Sequence, residues 1–364
     1  MGSDRLNVTQ AVSLLCVFLC GNLTVTYGEM RSGGYAPLCF LASALGGVLP
    51  MALFAYILKF RQTSNIYDTV AVLFKKPFFI AFSIILILLA VVYGCLSLKM
   101  FTQMIGATAL PNTPALLLAF CVCFVSAIMV KSGMNVAGKS AFVFLIFVCA
   151  TLIITSLLTM SDINFKNLYD VFRFNGFIYD FIYFFCGTFC KTIIFIGAVS
   201  HIVGTKPVKK VIILGGALAV AIVTITMLRD ILTLGSNVCA MLSFPSYYAV
   251  SAIKLFDFIQ RIEVISTVNM LFCCIIEVAV CIYCVCIGIS RLSKVPCAKN
   301  VALPVGLCFA GVSASLNIVD IKSVFFWFSI CFAVFSVGLA LIITPKVKKA
   351  SCSNAQKQKM KHPS

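Results

Sequence analysis

Long apolar runs alternate along this chain with short clusters of charge, proline and polar residues. Ten runs stand out, at residues 10–27, 36–58, 77–104, 115–130, 140–159, 182–200, 208–228, 264–290, 303–318 and 323–344. Most are close to the ~20 residues that carry an α-helix across a bilayer core. The fourth and ninth are short, so extension or tilt is needed for them to span. The pattern predicts an all-α integral membrane protein of about ten transmembrane helices. One transmembrane domain covers residues 1–345, and a basic, polar tail over 346–364 is expected to be disordered against anionic headgroups. The start is nearly neutral and no small-residue cleavage site follows it, so the first run reads as an uncleaved insertion signal.

Composition supports the membrane reading. The hydrophobic fraction is 62%, mean hydropathy is +1.09, and only 11% of the 364 residues are charged. A soluble domain of this size needs far more polar surface. The formal charge of +17 invites a nucleic-acid reading, but its distribution points to topology instead. With the N-terminus cytoplasmic, nineteen lysines and arginines fall on the inner side and seven in outer loops, among them Arg229. Asp180 and Asp230 are counted with the outer acids. The positive-inside rule then places both termini in the cytoplasm.

Of the nineteen cysteines, most lie inside apolar runs, as in Cys273-Cys274 and Cys281-Ile-Tyr-Cys284-Val-Cys286. The Cys281/Cys284 spacing has no histidine or second pair beside it, so these thiols read as small packing residues and no metal site is expected. Two histidines, His201 and His362, are too few for a catalytic triad or a metal cluster, and no phosphate-cradling glycine loop occurs. No enzyme and no cofactor are expected.

Two runs are interrupted. The first carries Gly21-Asn22-Leu23-Thr24-Val25-Thr26-Tyr27-Gly28, and the sixth carries Phe185-Cys186-Gly187-Thr188-Phe189-Cys190-Lys191. Glycine beside hydrogen-bonding side chains weakens a helix where the bilayer demands a continuous one. Breaks five spans apart are the pointer to a transporter-like site between inverted repeats, here about 10–159 and 182–344. Glycine and threonine also serve plain close packing in membrane helices. The candidate ligand contacts are Asn22, Thr24, Thr26, Tyr27 and Gly28 with Phe185, Cys186, Gly187 and Thr188, joined by Tyr93 and Ser97 on the third run. Three ionisable residues fall inside runs. Lys99 lies near an end, where it can snorkel, whereas Lys191 and Glu277 lie deeper and are candidates to pair.

The longest connection, Arg229 to Glu263, holds Ser243-Phe244-Pro245, with Pro245 placed to open a helix that Ser246 helps cap. That helix is expected to lie across the bundle as a partial lid. Here the sequence resembles the spore germination permease family. The resemblance rests on Ser243-Phe244-Pro245 followed by Asp257-Phe258-Ile259-Gln260-Arg261-Ile262-Glu263. Leu110-Pro111-Asn112-Thr113-Pro114, Lys131-Ser132-Gly133 with Ala137 and Lys139, and Lys206-Pro207 with Lys209-Lys210 precede it in family order. The chain departs from the family pattern where Gly187-Thr188 replaces Gly-Glu and Gln260 replaces glutamate.

The resemblance implies the two-repeat, ten-span core of the amino acid/polyamine/organocation superfamily. It also implies the B subunit of a spore germinant receptor in the inner spore membrane, with A and C subunits as partners and a small germinant such as an amino acid as ligand. An amino acid transporter of the same superfamily, coupled to protons or Na⁺, is the competing expectation.

Overall fold

The computed structural model describes residues 6–24, 27, 30–59, 65–168, 174–203, 208–252, 263–293, 298–316 and 321–361. Its helices are α1 (Val8–Cys20), α2 (Ala36–Lys59), α3 (Ile66–Leu73), α4 (Lys76–Thr108), α5 (Ala115–Ser132), α6 (Met134–Leu158), α7 (Phe174–Phe184) and α8 (Thr192–Val203). After these come α9 (Val208–Leu234), α10 (Ser236–Met241), α11 (Pro245–Ser251), α12 (Val264–Ser293), α13 (Ala302–Ser315) and α14 (Ile321–Lys361). Eight helical stretches among the described residues are long and apolar enough to cross a membrane. The shorter apolar helices α1 and α13 fall on the first and ninth predicted runs. The chain is an all-α, multi-pass membrane protein. Among the described residues ten apolar segments follow in chain order: α1, α2, α4, α5, α6, α7 through α8, α9, α12, α13 and α14.

Several boundaries differ from those read off hydropathy. The fifth segment starts at Met134, because Gly133 at φ +110° makes the turn from α5 and its N–H closes onto Met129 and Val130. Lys131-Ser132-Gly133 is therefore a helix-to-helix corner that needs glycine's left-handed backbone. The sixth segment begins at Phe174, eight residues before the apolar run. The tail departs from the expected disorder: α14 runs through Pro345 to Lys361. Residues 346–361 are rich in Lys, with Ala and Gln beside it, all good helix formers, and Val347 near the start of this stretch is buried.

Arg229, Asp230 and Asp180 do not lie in outer loops. Arg229 and Asp230 lie within α9 and Asp180 within α7, all three buried. Large apolar side chains point outward elsewhere, among them Val143 and Ile153 on α6 and Ile213 on α9, as suits a surface bathed in lipid rather than water.

At the centre α12 packs on α4, α5, α8 and the turn after α1. Around it α1 packs on α9 and α6, α5 on α13, and α2 on α7 and α9. Many of these neighbours are related by an exchange: replacing each segment with the one five places on maps one contact onto another. The pair α1–α9 becomes α7–α2, α1–α6 becomes the sixth segment with α14, and α12–α5 becomes α4–α13. The pairs α4–α12, α5–α13 and α2–α9 map onto themselves.

Candidate functional site at the two helix breaks

The first segment stops being α-helical at Cys20. Gly21 takes φ +40° and ψ −130°, and a 3₁₀ turn follows over Gly21–Thr24. The 13 residues of α1 rise roughly 20 Å, short of a ~30 Å hydrocarbon core. The 3₁₀ turn carries the chain onward, and such backbone is tolerated because Leu23 and Thr24 are buried in protein.

Three acids hold this irregular stretch, one on each of three helices. Glu277 on α12 sits against Gly21, so closely that a Cβ there would overlap its carboxylate. Asp230 on α9 accepts the Tyr27 hydroxyl at 2.5 Å. Asp180 on α7 accepts the backbone N–H of Arg31 at 3.2 Å and of Ser32 at 2.8 Å, together with the Ser32 hydroxyl. The Arg31 guanidinium lies 3.8 Å above the Tyr179 ring on the same helix.

The second break is a π turn over Phe185–Phe189, with the Cys190 N–H reaching back to Phe185. It delivers Lys191 inward. The ammonium is 2.7 Å from Glu277 Oε1 and donates to the Tyr93 hydroxyl at 2.9 Å. Tyr93 in turn donates to Oε1 at 2.7 Å, and Ser97 donates to Oε2 at 2.5 Å. Tyr93 and Ser97 lie one turn apart on α4 and so share a face. The ammonium also stands 5.0 Å from the Phe18 ring centroid on α1. The pair is dry, with side-chain exposures of 3% and 0%. Such a pair survives burial only when the remaining hydrogen-bonding capacity is filled, and Tyr93 and Ser97 fill it.

A cavity of about 20 Å³ adjoins this pair, lined by Leu23, Tyr93, Gly187, Thr188, Lys191 and Phe325 among others. It has room for roughly one water. The structure thus brings Tyr93, Ser97, Gly187, Thr188, Lys191 and Glu277 together. Tyr27 and Thr24 are directed elsewhere. Tyr27 belongs to the Asp230 cluster, and Thr24 lines a second small cavity with Arg229, Ser246 and Asn269. Cys186 is buried without lining the cavity, and Phe185 stacks on Phe181 towards Gly46 of α2. Thr26, Gly28 and the Asn22 side chain lie outside the described residues.

A second buried cluster surrounds Asp230, which the hydropathy pattern leaves in a loop. Arg229 Nε and Nη2 donate to Asp230 Oδ1 at 2.8 and 2.6 Å, while Nη1 reaches Thr155 on α6 at 2.7 Å. Nη2 also donates to Ser246 Oγ on α11 at 2.6 Å. Ser246 therefore ties α11 to α9 instead of capping its own helix, while Pro245 opens α11 as expected. The Asp257–Ile262 stretch lies outside the described residues.

The chain is thus a multi-pass membrane protein whose first and sixth segments both break beside a buried ion pair. A model of the spore germination protein family matches residues 5–321, and the chain belongs to that family. Spore germination protein KB of Bacillus subtilis (strain 168) is 22% identical over 314 residues, 84% of each chain. A second relative from the same strain, YfkT, is 25% identical over 258 residues, 69% of each.

Proposed function

We propose that this chain is the membrane-embedded B subunit of a spore germinant receptor. A small nutrient germinant, an amino acid or similar metabolite, binds at the paired breaks and so initiates germination. The observation that carries this reading is the Lys191–Glu277 pair at the meeting point of both breaks. The pair already presents an ammonium and a carboxylate, the two groups of a zwitterionic amino acid. Such a ligand exchanges partners with both residues and leaves neither charge buried alone.

The adjoining room of about 20 Å³ is too small for an amino acid. Binding therefore has to be accompanied by opening of the breaks, a change that A and C subunits sense. The ligand drives that change only through different affinities for the two states. About 5.5 kcal/mol of difference moves 1:99 to 99:1.

We read residues 10–159 and 182–344 as two inverted five-helix repeats, supported by the exchange relation among helix neighbours. Both termini are assigned to the cytoplasmic side of the inner spore membrane. With Arg229 inside α9, the lysine and arginine bias in favour of that side is stronger than the sequence count.

Spores lacking this chain, followed by optical density against a panel of single amino acids, test the reading. Selective loss of response to one nutrient supports the receptor. Intact germination with reduced uptake of a labelled amino acid by growing cells makes the chain a transporter instead.

A further inference from the structure

A groove of about 820 Å³ runs between α2 and α9 on the outer surface of the bundle. Small residues hollow it, including Ala52, Ala55, Gly216 and Ala217, and its lining is almost wholly apolar. Lys209 stands at one end and Phe189 lies in its floor. We propose that this groove binds an anionic phospholipid, with an acyl chain along the groove and the phosphate on Lys209.

Three observations favour that occupant. The lined stretch of α9, from Lys209 to Val220, rises roughly 16 Å. That is about one leaflet of a ~30 Å hydrocarbon core, so a chain anchored at Lys209 fills the groove within its own leaflet. Lys209 and Lys210 are exposed and have no ion-pair partner among the described residues, so the charged end is open to a phosphate. Tyr56 lines the groove on α2 close to that helix's end, and an amphipathic ring of this kind sits at headgroup level. A helix of another subunit fits less well, because a charged lysine at its margin would need an acidic partner at one fixed height.

The floor gives the site its interest. Phe189 is the last residue of the π turn, two positions before Lys191, and its ring sits where a Cβ on Gly47 of α2 would fall. A bound acyl chain therefore touches the second break directly.

The test uses the full chain in phosphatidylcholine vesicles, with Trp327→Phe to remove the native indole. Val48→Trp places a reporter in the groove, where Val48 is 60% exposed, and Ile153→Trp on α6, 61% exposed, serves as the control for general lipid contact. Brominated phosphatidylglycerol should quench Val48→Trp at about a five-fold lower mole fraction than brominated phosphatidylcholine, the ratio one lysine near the surface supplies. The control should show no preference, and Lys209→Gln should abolish the preference at Val48→Trp. Equal quenching by the two lipids, or a preference that survives Lys209→Gln, overturns the proposal. So does a Val48→Trp reporter untouched by either lipid while the control is quenched, since the groove is then covered by protein.

Discussion

Gly21 and Glu277 meet with no space for a side chain between them: a Cβ on Gly21 would fall on the carboxylate that holds Lys191. Gly21 also occupies φ +40°, where an L side chain is strained. Gly21→Ala should therefore destabilise the chain by about 1–3 kcal/mol and displace Glu277 from its partners. Thermal unfolding in detergent checks this, with Gly311→Ala as the control, because a Cβ at Gly311 meets nothing within 4 Å. Equal melting temperatures for the two variants would show that the first break is not locked by this contact.

Breaking the ion pair from one side should be worse than removing it. Lys191→Met or Glu277→Gln alone leaves a buried charge unpaired, a loss of about 3–5 kcal/mol. The double variant should recover most of that stability, since neither charge remains. It should nevertheless stay blind to germinant, because the groups proposed to engage the ligand are gone. Melting temperatures of all four chains, together with germination assays on the corresponding spores, separate the two effects. Normal germination in Glu277→Gln spores would remove the pair from the proposed mechanism.

The Arg229 cluster predicts a graded series. Ser246→Ala removes one hydrogen bond between α9 and α11 and should cost about 1–3 kcal/mol, seen as faster amide exchange in α11. Asp230→Asn leaves Arg229 without its carboxylate and frees the Tyr27 hydroxyl, so its effect should exceed that of Ser246→Ala. Exchange measured by mass spectrometry reports both. The reverse order would mean that α11 is held by contacts other than Arg229.

Gly187 lines the cavity beside Lys191, and a Cβ there would stand 3.0 Å from the Phe325 ring. Gly187→Ala should be accommodated by a small ring shift. Gly187→Leu should fill the cavity and silence the response while the protein remains folded. A normal response from Gly187→Leu spores would place ligand binding elsewhere.

The membrane architecture was legible because each apolar run encodes one segment, and run length alone distinguishes a span from a loop. Lys191 and Glu277 were legible for a related reason: a charge in an apolar run has to face protein. Arg229, Asp230 and Asp180 were not. Each lies at the margin of a run, where hydropathy cannot tell a helix end turned inward from a loop turned to water. The signal that was available was adjacency, since Arg229-Asp230 carries its own compensation and needs no solvent. The division of the first break among Glu277, Asp230 and Asp180 was also invisible, because it depends on which helices flank the break. Gly133 shows the opposite case, where a glycine within the Lys131-Ser132-Gly133 motif marked a corner that hydropathy placed six residues late.

The distance along the chain between Lys191 and Glu277 matters for biogenesis. Lys191 leaves the ribosome 86 residues ahead of its carboxylate. At roughly 5–20 residues per second, that is a wait on the order of ten seconds. The stretch that carries it, Phe174–Val199, is the least apolar of the eight long stretches and contains Asp180 as well. Until α12 arrives Lys191 has no carboxylate to neutralise it, so a chain halted before Glu277 carries an unpaired charge in an apolar stretch.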